Sequence, residues 1–262
     1  PLDQFLNDPK LTDKAWYKPE DFFPGLISAN RWSGKNGGGT GEGPLWSIPI
    51  MCESYILAYR KDIFDKYKIK VPTTYEEMAE AARLVKKNAG IDGVMARGTP
   101  NTPTIATGYI SGAKSYTDGK WAEADQDVIA RLSDPRHVNF SKIWMDMIRE
   151  SGPANWANMT WYDGMETFAA GQAGMYPDCD FFAQTYEDPQ KSKVAGKVGY
   201  ALLPPGPGGS TYSGLWTWAL GMSKATKNKE AAWYFIQWAT SQRTLLSATV
   251  EFRNYNPSRA SV

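Results

Sequence analysis

The sequence is poor in the residues that most often announce chemistry. It has two cysteines, Cys52 and Cys179, and one histidine, His137, in 262 residues. Two thiols exclude a disulfide scaffold and a four-thiolate zinc site, although one Cys52–Cys179 bridge stays open in an oxidising compartment. With a single imidazole, a zinc centre would need mostly carboxylates, so no metal is expected. His137 sits among Asp134, Pro135 and Arg136 with no nucleophile motif beside it, and it reads as a surface or capping residue. Residues 108–112 have the wrong spacing for a nucleophile elbow. No dinucleotide fingerprint is present. In the glycine-rich stretch 33–43, Gly34-Lys35 runs into Asn36 where a phosphate loop needs Ser or Thr. No cofactor is expected.

An excess of one charge is lacking as well. Twenty-nine basic residues face 28 acidic ones, which removes the electrostatic reason for a nucleic-acid or anionic-membrane partner. No window approaches the roughly 18–20 apolar residues of a spanning helix. There are no internal repeats. Pro1 follows no methionine or signal segment, so a processed or trimmed product is expected.

What remains is a soluble α/β pattern. Apolar residues form 42% of the chain, enough for a core. Strand-like runs at 45–50 and 54–59 lead into a short helix at 62–67. Thr74 and Glu77 form a capping box ahead of a helix with the stripe Met78, Ala81, Ala82 and Val85. Strands are predicted at 90–95, 174–177, 197–203 and 215–222, with helices at 138–150 and 161–171. Another helix, capped by Asn228, carries the stripe Ala231, Ala232, Phe235, Ile236 and Ala239. Strands and helices alternate, which indicates α/β layers.

Aromatics are the abundant resource: 11 Trp, 14 Tyr and 10 Phe. Several stand beside polar residues, among them Trp121, Trp156, Trp161 with Tyr162, and Trp216 with Trp218. A sugar or polyol presents a C–H face and a rim of hydroxyls. Aromatic rings cover the first, and Asp, Glu and Arg bond the second. Asp178-Cys179-Asp180 allows a rival reading, a hydrolase or metal-dependent glycosyltransferase, and a module binding another protein through its rings is a third.

Four stretches in order resemble the family 1 extracellular solute-binding proteins, the carbohydrate receptors of ABC importers. They are Ile48-Pro49 leading to Tyr59-Arg60-Lys61-Asp62-Ile63-Phe64; Val71-Pro72-Thr73-Thr74-Tyr75-Glu76-Glu77; Phe168-Ala169-Ala170-Gly171-Gln172-Ala173-Gly174-Met175; and Lys227-Asn228-Lys229-Glu230-Ala231-Ala232-Trp233. Arg97-Gly98 and residues 258–262 look like the branch that takes polyols and small sugars.

The resemblance implies a two-lobe periplasmic-binding-protein-like fold of type II, maltose-binding-protein-like, with N-terminal and C-terminal parts missing. Residues 1–48 and 214–262 would form parts of lobe I, and 52–212 lobe II. A small sugar or polyol would lie in the cleft, unchanged, for delivery to ABC permease subunits. The protein would be a monomer, periplasmic or anchored outside a membrane. The residues implied to bind ligand are Glu53, Arg97, Asp178, Asp180, Trp216, Trp218 and Arg259. Which of Trp216 and Trp218 stacks stays open, as does the identity of the solute.

Overall fold

The computed structural model describes residues 1–35, 39–99, 107–119, 132–253 and 256–262. The chain divides into two compact units, Pro1–Glu53 with Leu215–Val262, and Ser54–Gly214.

The middle unit is organised by β1 (Ser47–Arg60), which enters it at Ser54. The two predicted strands, 45–50 and 54–59, are one continuous strand. Strands β2 (Met175–Cys179) and β3 (Val198–Leu202) flank it, both antiparallel. Tyr55 pairs with Cys179 and Tyr59 with Met175 on one side; Ile56 pairs with Leu202 and Arg60 with Val198 on the other. Alternation along β1 buries Tyr55 and Leu57.

Helix Tyr75–Ala89 starts where Thr74 Oγ1 accepts the Glu77 N–H at 3.1 Å. The Glu77 carboxylate turns to Thr73 instead, accepting from its N–H and hydroxyl at 2.8 and 2.7 Å. The helix stops at Gly90, whose φ of 68° suits a residue without Cβ. Its stripe of Met78, Ala81, Ala82 and Val85 is buried and packs toward helix Pro135–Ser151. That second helix opens with Asp134 accepting the Arg136 N–H and Pro135 in its first turn. The motif 168–175 closes helix Trp161–Ala169 and starts β2. Its Gly174 is required by packing, because a Cβ there would meet Val85 Cγ1 at 2.4 Å.

Two expectations change here. Residues 90–95 form no strand; they contribute one isolated bridge, Asp92 to Ala173, and the Met95 N–H donates to Met175 O. His137 is buried, not on the surface. Its Nε2 lies 2.8 Å from the Tyr109 hydroxyl and its Nδ1 3.0 Å from Leu132 O, so it serves packing on the inner helix face.

The outer unit has a smaller core: Leu2, Phe5, Tyr17, Phe22, Leu45, Ile48, Trp233 and Ile236. Asp13 caps a short helix, Lys14–Tyr17, by accepting from Ala15 N and Trp16 N. Thr12 is a hub, accepting from Trp233 Nε1 at 2.9 Å and donating to Phe5 O at 2.8 Å. Helices Lys229–Ala239 and Gln242–Val250 complete the unit, with β4 (Leu215–Gly221) pairing β1. Asn228 precedes the first of these helices but makes no side-chain cap.

Among the described residues, no helix is long and apolar enough to cross a membrane, and no cluster of His, Cys, Asp and Glu could hold a metal. The two thiols take separate partners: Cys52 donates to Pro257 O, and Cys179 Sγ accepts from Phe181 N.

Candidate functional site

The predicted site residues fall into two groups and one outlier. The first group lies in the middle unit. Arg97 Nε donates to Asp178 Oδ2 at 2.6 Å, and Nη2 donates to Oδ1, so the guanidinium and carboxylate form a two-pronged fork. The fork is enclosed. Asp178 is 3% exposed, and its Oδ1 also accepts from Cys179 N.

Burial works against charge on Arg97, but the Asp178 hydrogen bonds and charge outweigh it and hold the guanidinium above its ordinary range. Burial, followed by the Asp178 charge, pushes the Tyr176 and Tyr186 phenols well up. Asp178 is thus a buried counter-ion that orients Arg97. It does not stand open as an acceptor for solute. Truncating it would strand a desolvated guanidinium.

The ring of Trp161 lies 5.7 Å from the Arg97 guanidinium carbon, within cation–π range. A capping box holds Trp161 in place: Thr160 N donates to Asp163 Oδ2 at 2.7 Å, and Asp163 N donates to Thr160 Oγ1 at 3.3 Å. The Thr-x-x-Asp pattern was the available signal for this residue, and the sequence reading grouped Trp161 only with the general run of aromatics. Ser54 was missed altogether. It donates its N–H and hydroxyl to Asp180, at 3.0 and 2.7 Å. Asp180 therefore clamps β1 at the point where the chain enters the middle unit. Asp178 and Asp180 serve different protein partners.

The second group lies in the outer unit. Trp218 Nε1 donates to Glu53 Oε1 at 2.8 Å. Trp216 and Trp218 meet edge to face, with centroids 6.3 Å apart and planes at 66°. Both rings remain open, Trp216 at 38% and Trp218 at 51% exposure. Alternation along β4 puts them on one face. A carboxylate and two indole surfaces are the parts that a hydroxylated solute requires.

Arg259 is the outlier, and the structure corrects its reading. Its side chain has no exposed surface. Nε donates to Thr240 O at 2.7 Å and Nη1 to Lys18 O at 2.9 Å, while the guanidinium carbon lies 3.8 Å from the Phe22 ring centroid and 5.0 Å from that of Tyr17. Nη2 is sealed from solvent too. Burial lowers its pKa from the ordinary value. Arg259 ties the end of the described chain to the outer core and presents nothing to a solute. Trp121 lies outside the described residues.

Comparison with known proteins then decides the family. The profile of the bacterial extracellular solute-binding proteins matches residues 1–244. The chain belongs to this family. It is 31% identical over 269 residues to an erythritol/L-threitol-binding protein of Mycolicibacterium smegmatis, covering 100% of this chain and 55% of that one. It is 26% identical over 208 residues to a mannitol-binding protein of Pseudomonas aeruginosa, covering 77% and 46%. The chain thus spans about half the length of these curated relatives.

Among solved structures, a solute-binding protein of Agrobacterium vitis S4 with bound D-mannitol matches with TM-score 0.79 and 29% identity over 100% of this chain and 60% of that one. A maltose-bound protein of T. maritima matches with TM-score 0.81 and 25% identity, over 100% and 64%. These likenesses carry the α/β, maltose-binding-protein-like fold class expected of the solute-binding family.

Proposed function

We propose that this solute-binding chain holds one small polyol or sugar, unchanged, for uptake through an ABC importer. The observation that carries the reading is the Glu53 carboxylate held beside the exposed rings of Trp218 and Trp216. The rings cover the C–H groups of a solute, and the carboxylate accepts from its hydroxyls. In the middle unit, the Trp161 ring beside the enclosed Arg97–Asp178 fork supplies a further aromatic surface. The ligands named for the relatives, erythritol, L-threitol and mannitol, support the polyol class.

A bound solute favours the conformation in which its contacts are made. Membrane permease subunits would read that state, with nucleotide hydrolysis in other chains. In this reading the protein works outside the cytoplasmic membrane, in a periplasm or on a tether, as a monomer; the extracellular family supports the first part.

The test is isothermal titration calorimetry of the full chain with erythritol, ribitol, D-mannitol and maltose, followed by chromatography of the recovered solute. Saturable binding of one class with the solute intact is the expected result. Conversion of the solute would establish the hydrolase or transferase alternative, and no binding to any of the four would remove the carbohydrate reading.

A further inference from the structure

Trp216 and Trp218 look equivalent in the sequence, two rings on one face of one strand. The structure makes them unequal. Trp218 is tied at its edge, where its N–H donates to Glu53, and is braced by the ring of Trp216. An indole that is half open to solvent would ordinarily sample several rotamers. This one is fixed at two points, so its face is presented with little ordering left for a ligand to impose.

The same bond acts on the carboxylate. Glu53 Oε1 is occupied by the indole, while Oε2 carries no hydrogen bond among the described residues. A free glutamate has three rotatable bonds between its backbone and its oxygens. The indole N–H removes most of that freedom and turns one defined oxygen outward.

Resting on the polyol reading above, we propose that Trp218 is the positioning residue of the outer unit's half of the site. Its N–H holds Glu53 so that Oε2 accepts from a solute hydroxyl, while the ring face covers the neighbouring C–H groups. Trp216 is the brace. The arrangement favours solutes whose hydroxyl and C–H surface lie side by side, as on an acyclic polyol or one edge of a sugar ring.

A double-mutant cycle on the full chain tests this, with D-mannitol, ribitol and maltose as probes in calorimetry. W218F keeps a ring and deletes the N–H; Glu53→Ala deletes the acceptor. W218F is expected to weaken the best probe about five- to tenfold, because the loosened Glu53 side chain must be ordered again on binding, with little change in melting temperature. In the Glu53→Ala background the same change should cost less than about twofold, because the two residues act as one unit. A ring that only packs or stacks would lose the same factor in both backgrounds, and that additivity overturns the positioning role.

A readout without ligand accompanies the cycle. The Trp218 indole resonance, identified by its absence in W218F, should move in Glu53→Ala, and an unmoved resonance also overturns the proposal. A parent chain that binds none of the three probes sinks the polyol reading itself, a result distinct from an additive cycle in a parent that binds.

Discussion

The two units differ in how much aromatic surface they enclose. The middle unit has the larger enclosed set. Tyr75, Phe140, Phe168, Tyr176 and Tyr186 are buried in one continuous core, with the Arg97–Asp178 fork sealed nearby. The outer unit has a small core held by polar ties, such as Thr12 to Trp233 and Tyr17 to Thr240, and leaves Trp216, Trp218, Phe235 and Trp238 substantially exposed. Burial of apolar area is the main stabilising term at about 25 cal/mol per Å². The middle unit should therefore be the more stable, with slower amide exchange throughout. Rings kept exposed in the outer unit add little to its stability and are available for contact.

Breaking the middle unit at its charged centre should have the largest effect. Asp178→Ala strands the Arg97 guanidinium in an enclosed place and should cost about 3–5 kcal/mol, read as a lower denaturation midpoint for that unit. An Asp178→Ala protein as stable as the parent would mean that the fork is hydrated and open.

Alkali should narrow the gap between the units. Burial pushes the Tyr17 phenol up to about 12 in the outer unit. Tyr75, Tyr176 and Tyr186 are raised by burial in the middle unit. A raised folded-state value favours the neutral phenol in the fold. The associated stability is complete below pH of about 10 and is lost as pH rises toward and past the folded values. For Tyr17 alone the loss is about 2–3 kcal/mol by pH 12. The middle unit holds more such phenols and should lose more, which exchange measurements at pH 9 and 11 would register.

Smaller perturbations sharpen the contrast. Thr12→Val removes the hydroxyl shared by Trp233 and Phe5 O, leaves the buried indole N–H unpaired, and should lower outer-unit stability by about 1–3 kcal/mol. Lys142→Ala on the exposed face of helix Pro135–Ser151 breaks only the ion pair with Asp146 and should change stability by less than about 0.5 kcal/mol. Equal effects at these two positions would argue against the difference between the units.

The periodic elements were legible because each depends on local rules. The stripe of helix Tyr75–Ala89, the Thr74 cap and the alternation of β1 are written in spacings of three, four and two residues. Residues 90–95 were misread because an apolar run shows no register by itself; its backbone meets Ala173 and Met175 only through tertiary contact.

The predicted site residues were legible by side-chain chemistry but not by the partners they take. Asp178 and Arg259 have the chemistry of ligand contacts, yet long-range partners, Arg97 for one and Thr240, Lys18 and Asp21 for the other, enclose them. Spacing along the chain carries no record of such partners. The bond from Trp218 to Glu53 spans 165 residues and was hidden for the same reason.

The most direct test of the central claim is a melting curve of the full chain at rising D-mannitol, ribitol and erythritol. A solute that binds the native state must stabilise it by mass action, about 2.7 kcal/mol at a hundred times its Kd. The account predicts a saturable, concentration-dependent rise in Tm with at least one of them and none with an uncharged solute lacking vicinal hydroxyls. An unchanged Tm with all three polyols, up to concentrations where osmolyte effects begin, would contradict it.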